Sequence, residues 1–434
     1  MNTKKRIPVH HVIAVTLGNG LEFYDFLSYA IFAVFIAKAY FPADDPAISL
    51  IVTFGLSWVA YLMRIAGAIY LGGLGDRIGR KPAMLISFAC MGSGMLAMAL
   101  TPTYASIGIA APIIVVVFRL LQGFALGGEV GPTTAYMIEA APPERRGFYG
   151  SFQYISQDAA VLIASLMGVL LSSVLTTPEL ESWGWRVAFG LGVVIIPFGI
   201  VIRSSLPETL HKADDAALAP DATTGSLSFV QTLKPYTLIA VCGFFMLVGG
   251  TIASYVVGYM PTYAISTLGL PAVIAFGTTV ATSSTNMVFE LIAGVASDRW
   301  GRRPVMLYPG VLMLVLIVPG YWIFSHHPEP WVIYSILAVL SALGSLTFTP
   351  LIISLTESLP MHIRSGAVAT IYAVAISVFG GSAQMIVTWL LKITGGNPLV
   401  PAYYMSGAVL VAVVAIYLMP ESAPVKTGDA NPPS

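Results

Sequence analysis

A chain of 434 residues in which 56% are hydrophobic and only 10% are charged departs from soluble domains, where about a quarter of residues carry charge. Mean hydropathy is +0.82 and the formal net charge is zero, which implies an integral membrane protein and excludes nucleic acid as a partner. The two cysteines, Cys90 and Cys242, fall in apolar runs and the six histidines show no ligand spacing, so no disulfide framework, metal site or cofactor is expected.

A helical span needs roughly 20 apolar residues. Twelve candidate runs follow one another at 11–39, 47–74, 82–101, 106–139, 148–175, 185–204, 235–266, 272–296, 304–324, 331–358, 366–392 and 400–419. The basic start MNTKKR precedes a run that holds Glu22 and Asp25 and lacks a small-residue cleavage site, so a retained first span is expected. With both termini cytoplasmic, only Lys38, Arg186 and Lys392 fall outside, and Arg64 and Arg119 fall within spans. Every other Lys and Arg then lies inside, as the positive-inside rule requires.

Span one carries GNGLEFYDFLSYA (18–30), with Asn19, Glu22, Tyr24 and Asp25 together. A charge at mid-membrane costs about 2.5–3.5 kcal/mol on insertion scales, so such groups face the bundle interior and pair. Arg64 on span two and Arg119 on span four balance the two acids of span one. Asp25 with Arg119 is the expected proton-coupling pair, with Glu22 beside it. Burial disfavours a carboxylate and a guanidinium favours it, so an arginine drawn away by substrate leaves the acid protonated. A static ion pair is the alternative.

Gly123, Gly127 and Gly131 recur along span four and allow close helix packing. Glu129, further along that span, reads as part of an inner latch, with a proton relay as the alternative. On span five Gln153, Tyr154 and Gln157 share a face and Asp158 follows. Trp183, Trp185 and Trp331 lie at outer span ends and read as interface anchors. The polar stretch after span six divides the chain into an N-terminal six-helix bundle (1–204), a cytoplasmic linker (205–233), a C-terminal six-helix bundle (234–420) and a tail (421–434) expected to be disordered.

On span seven Tyr255 and Tyr259 share a face, and Pro261 should break the helix and free backbone polar groups. Span eight carries TSSTN (282–286), ending in Asn286, and then Glu290, which reads like Glu129 as part of the latch or, alternatively, a proton relay. Arg119 and Arg64, with Asn19, Tyr24, Gln153, Tyr154, Gln157, Tyr255, Tyr259 and Asn286, are the candidate substrate contacts for an anion that needs bidentate cations and polar donors.

Three landmarks repeat between the halves. GGLGDRIGRKP (72–82) recurs as GVASDRWGRRP (294–304), Glu139 with Arg146 recurs as Glu357 with Arg364, and LPET (206–209) recurs as MPES (419–422). Repeated acids beside repeated arginines suit a cytoplasmic latch. Asp76, Arg80, Glu139 and Arg146 would form it in the first half, and Asp298, Arg302, Glu357 and Arg364 in the second.

The run Gly72–Lys81, with its echo, resembles the loop motif of the major facilitator superfamily. That resemblance implies an all-α membrane protein with 12 transmembrane helices in two six-helix bundles around one site, working by alternating access. GNGLEFYDF, RIAGAIYLGGLGDRIGRK and RLLQGFALGGE (119–129) are similar to the metabolite–proton symporter family. Pro132, Tyr136, Glu139 and Pro142 resemble the sugar-porter branch, where an Asp on span one and an Arg on span four form a proton-sensitive pair. SFQYISQDAAVLIAS (151–165), SSTNMVFELIAGVASDRWGRRPV (283–305), the stretch 354–381 and TWLLKITG (388–395) are most similar to citrate and tricarballylate symporters. Asp158 departs from that pattern, standing where those carriers tend to have Gln.

The expected protein is a monomeric carrier in the bacterial inner membrane, surrounded by lipid, that takes up a small organic anion, a di- or tricarboxylate such as citrate or tricarballylate, with protons. Two alternatives stay open: a symporter of a zwitterion or aromatic acid, and a proton-antiporting exporter of amphiphiles. No nucleophile or metal constellation suggests an enzyme.

Overall fold

A computed structural model describes residues 20, 23–24, 27–78, 80–127, 141–204, 234–359 and 361–428. Every secondary-structure element among them is helical. In the first half the main helices are α1 (Ala33–Tyr40), α2 (Pro46–Ile78), α3 (Arg80–Leu100), α4 (Ala110–Leu126), α5 (Arg146–Val174) and α6 (Trp185–Ser204). In the second half α7 comprises Thr237–Gly258 and Met260–Ser266, α8 is Ala272–Trp300 and α9 is Arg302–His326. There α10 comprises Pro330–Phe348 and Leu351–Glu357, α11 comprises Met361–Val374 and Gly381–Ile393 joined by a π-helical stretch at Ala375–Gly380, and α12 is Val400–Leu418. Among the described residues eight helical segments are long and apolar enough to cross a membrane. Apolar side chains such as Leu170, Val315 and Leu410 are exposed on their outer faces, where hydrocarbon is the natural solvent.

The break in α7 lies where Pro261 removes a backbone donor. Tyr259 leaves the helix there, and the Tyr255 carbonyl accepts a hydrogen bond from Gln384 Nε2 at 3.4 Å. Without a partner of this kind, backbone groups at membrane depth would be left unsatisfied.

Two close helix approaches set the frame. A Cβ added at Gly123 would lie 2.0 Å from the Ala60 carbonyl oxygen, and one at Gly127 would lie 2.1 Å from that of Arg64. Only glycine lets α4 press its backbone onto α2 at the level of Arg64. The second approach joins the halves: a Cβ at Gly294 on α8 would lie 2.6 Å from the Gly147 carbonyl oxygen on α5.

The apolar core divides into two large clusters, one mainly in each half, which exchange side chains at one end. Phe276 of α8 sits in the first half's cluster, and Leu50 and Phe54 of α2 sit in the second half's. Trp185 corrects the expectation of an interface anchor. It is fully buried, with its indole N–H donating to the Glu181 carbonyl at 3.3 Å and its ring edge-on to Tyr40 and Phe189. Trp183 and Trp331 are exposed. The turn of π-helix at Leu180–Gly184 rotates Trp185 inward, and residue type alone does not encode that rotation.

The tail also differs from its expected disorder through residue 428. Ala423 is buried, and Glu421 accepts from the backbone N–H of Arg302 at 2.8 Å and of Arg303 at 3.1 Å. An acid at this place satisfies the open donors at the start of α9 and complements its dipole.

Candidate functional site

A cavity of about 260 Å³ lies between the halves. Its polar wall is built from helical stripes. Ser57, Tyr61 and Arg64 come from α2, and Tyr154, Gln157 and Asp158 from α5. Across from them stand Thr251, Ser254 and Tyr255 of α7, Thr279, Thr282, Ser283, Asn286 and Glu290 of α8, Ser341 and Ser345 of α10, and Tyr372 and Gln384 of α11. In α2, α5, α7, α8 and α10 spacings of one, three and four residues put each set on one helix face. The sequence therefore carries the stripes, whereas the facing of one stripe by another is tertiary.

Arg64 is the one cation among the described lining residues. Its guanidinium carbon stands 5.8 Å from the centroid of the Tyr372 ring, so a first-half cation lies against a second-half helix. Tyr61 and Tyr255 join the halves a second time through their hydroxyls, with ring centroids 5.5 Å apart. On the α5–α8 side, Asn286 Nδ2 donates to Asp158 Oδ1 at 3.1 Å, and Ser345 Oγ donates to Asn286 Oδ1 at 3.1 Å. Asp158 and Glu290 both line this side of the cavity, and Glu290 Oε2 has no hydrogen-bond partner among the described residues.

Contacts between the halves lie on both sides of this cavity. At one end Arg302, fully buried, bonds Asp298 at 2.7 Å and grips Glu357 through Nε and Nη2, both at 3.1 Å. The Asp298 carboxylate accepts from the backbone N–H of Gly147 at 2.8 Å and of Phe148 at 2.9 Å, at the start of α5. Arg146 approaches Glu357 to 3.8 Å. The acids of the second half are therefore bound to the first half as well as to Arg302. At the far end Phe276 packs on Phe32 and Phe35, with centroids at 5.0 and 6.1 Å, and Lys392 bonds Asp45 at 2.9 Å.

Of the expected substrate contacts, Arg64, Tyr154, Gln157, Tyr255 and Asn286 line the cavity. Arg119 is buried off the described wall, its guanidinium carbon 4.1 Å from the Tyr29 ring centroid, and it donates to Gln122 Oε1 at 3.0 Å. Gln153 is buried in α5 outside that wall. Tyr24 donates to the Ala188 carbonyl at 2.8 Å, tying span one to α6. Tyr259, at the break in α7, packs on Phe54 and takes a hydrogen bond from Thr388 at 3.2 Å. Asn19, Glu22, Asp25, Glu129 and Glu139 lie outside the described residues, as do the side chains of Asp76, Arg80 and Arg364.

Sequence reasoning leaned to the latch for Glu290, with a proton relay as the alternative, and placed Asp158 among the intramembrane charges that face the bundle interior. Both stand in the cavity wall. Glu290 is eight residues before Asp298, about 12 Å along α8, which is too far to join it. Its place on the stripe that begins at Thr279 and passes through Asn286 was the available signal.

The chain matches the family described as "Sugar (and other) transporter" over residues 11–431. It belongs to that family. It is therefore a transporter of the major facilitator superfamily and not an enzyme. The transporter is 34% identical over 417 residues to a citrate-proton symporter of Klebsiella pneumoniae, covering 95% of this chain and 92% of that one. It is 30% identical over 410 residues to a putative proline/betaine transporter of Staphylococcus aureus, covering 93% of this chain and 86% of the relative. A crystal structure of a D-xylose-proton symporter superposes with a TM-score of 0.77 at 17% identity, covering 98% of this chain and all of the other, which shows the shared fold.

Proposed function

We propose that this transporter takes up an organic anion, a di- or tricarboxylate such as citrate or tricarballylate, together with protons across the bacterial inner membrane. Its twelve spans form two bundles, 1–204 and 234–420, joined by the linker 205–233, with both termini cytoplasmic and the monomer as the working unit. The observation that carries the carboxylate reading is Arg64, the one cation in the described wall of a cavity shared by both halves. A guanidinium offers a carboxylate two parallel, charge-assisted hydrogen bonds. Gln157, Asn286 and the hydroxyls of Tyr154 and Tyr255 supply the remaining donors, with Asn19 as a further proposed contact. The citrate-proton symporter relative supports the same cargo class.

Each negative charge moved inward against an inside-negative potential of 100 mV costs about 2.3 kcal/mol, so accumulation of a polyanion requires accompanying protons. Arg119, with Asp25 and Glu22 of span one, is the proposed coupling element. The cluster of Arg146, Asp298, Arg302 and Glu357 is the proposed cytoplasmic gate, with Asp76, Arg80, Glu139 and Arg364 as its other members. Contacts on both sides of the cavity correspond to an intermediate of alternating access with both gates shut.

A second reading is favoured by one feature of the same cavity. Asp158 and Glu290, with the rings of Tyr61, Tyr154, Tyr255 and Tyr372, would suit the ammonium end of a zwitterion whose carboxylate sits on Arg64. The deciding experiment is proteoliposome uptake of labelled citrate, tricarballylate, betaine and proline under an imposed pH gradient, repeated with an uncoupler. Gradient-driven citrate or tricarballylate uptake that the uncoupler abolishes is the expected result. Uptake of betaine or proline alone would replace the first reading by the second, and uptake of none would remove both.

A further inference from the structure

Four buried polar atoms of the cavity wall find no hydrogen-bond partner among the described residues: Gln157 Nε2, Thr279 Oγ1, Glu290 Oε2 and Ser341 Oγ. A buried polar atom left unpaired is costly, and in a cargo site such atoms mark where the cargo bonds. The hydroxyls of Thr279 and Ser341 can donate or accept, so they do not specify the polarity of a partner. Gln157 and Glu290 do. An amide nitrogen only donates, and a carboxyl oxygen offers lone pairs. Glu290 is 5% exposed, which makes an open acceptor there especially unfavourable.

The groups between these two atoms are already satisfied. Asn286 Nδ2 donates to Asp158 Oδ1 at 3.1 Å, and Ser345 Oγ donates to Asn286 Oδ1 at 3.1 Å. Asp158 adjoins Gln157 on α5, and Asn286 lies one helical turn before Glu290 on α8. The Asp158–Asn286 bond therefore sets the two helices at the level of the open atoms. One patch of the wall thus offers a free donor from the first half and a free acceptor from the second.

We propose that this patch is a hydroxyl subsite, in which Gln157 donates to and Glu290 accepts from one hydroxyl of the cargo, so that the transported acid is a hydroxycarboxylate. A hydroxyl donates and accepts on a single oxygen and satisfies both atoms at once. A carboxylate only accepts and would leave Glu290 open, while an ammonium only donates and would leave Gln157 open. Arg64, on α2, takes a carboxylate of the same molecule, as in the proposed function, on which this inference rests for the place of the cargo. The hydroxyl contact spans the two halves, so it is made in full only while α5 and α8 face each other.

The test is calorimetric binding to the full-length protein in lipid nanodiscs, using pairs of compounds that differ by one hydroxyl: citrate against tricarballylate, malate against succinate, and hydroxyproline against proline. The hydroxylated member should bind about tenfold or more tightly, because its analogue leaves the donor and the acceptor unpaired. Gln157→Leu and Glu290→Leu should each cut that preference severalfold by weakening the hydroxylated member, whereas a merely structural role would weaken both members alike. Loss of folding in either variant leaves the wild-type comparison to decide. Equal affinities within the pairs, the result if water holds the two atoms instead, overturn the subsite, as does a preference unchanged in both variants. If only the proline pair binds, the carboxylate reading fails while the preference within that pair still decides the subsite. If no pair binds, both fall.

Discussion

Gly294→Ala tests the link between helix packing and gate position. The added Cβ would stand 2.6 Å from the Gly147 carbonyl oxygen, 3.0 Å from its carbon and 3.1 Å from Ser151 Cβ. Two of these are backbone atoms of α5, so no side chain can swing aside, and the helices must separate by several tenths of an ångström. Overpacking of this kind destabilises by about 1–3 kcal/mol. The strain applies only when α5 and α8 are in contact, so it acts on the closed latch and not on the open one. The open population should therefore rise by roughly five- to 150-fold. Separation also lengthens the Asp298 bonds to Gly147 and Phe148, which acts in the same direction. The assay is the rate at which a membrane-impermeant maleimide labels Ser151→Cys from the latch side, with Cys90 and Cys242 replaced. Ser151 is buried beside Gly294, so its labelling should report the open population. An unchanged rate in Gly294→Ala would show that this contact does not govern the gate.

Three further outcomes follow from the site and its ends. Arg64→Lys keeps the charge but loses the planar fork, and should weaken citrate binding about tenfold or more in calorimetry; equal affinity would remove Arg64 from the site. Arg119→Lys loses its face-on contact with Tyr29 and its bond to Gln122, so it should lower the unfolding temperature in detergent and weaken citrate binding less than Arg64→Lys does. A larger affinity loss in Arg119→Lys without destabilisation would return Arg119 to the binding wall. At the far end, the Lys392 ammonium hydrogen-bonded to Asp45, helped by the Ala47 N–H, holds the Asp45 carboxyl below the usual carboxylate value. Since Asp45's value is depressed by the contact, its contribution is present at neutral pH and is lost only as pH falls below about 4. Spin-label distances between positions 44 and 396 should thus stay constant from pH 8 to 5 and lengthen under more acid conditions. A change already at pH 6, or an unchanged acid response in Lys392→Ala, would contradict this.

Much of the site was legible as one-dimensional pattern. Thr279, Thr282, Ser283, Asn286 and Glu290 follow helical spacing, as do Tyr154, Gln157 and Asp158, and a polar stripe in an apolar span has to turn from lipid. The MPES repeat flagged Glu421, whose carboxylate closes the start of α9. The place of Trp185 was misread because it depends on rotation about a helix axis. Composition and distance from a span end do not contain that angle. Arg119 and Arg64 look equivalent as intramembrane arginines, and only packing placed one under Tyr29 and the other in the described cavity wall.

The amino-acid order alone determined that this chain is helical and membrane-embedded, since apolar runs of span length and the rarity of charge are local properties. It also determined the internal duplication, because repeated residues need no coordinates to be seen. Tertiary structure decided which polar stripes confront one another, that Asp158 bonds Asn286 of the opposite half, and that Asp298 closes on the backbone of the opposite half. Those contacts join residues far apart in the chain, and their energies depend on distances and dielectric surroundings that exist only once the helices have packed.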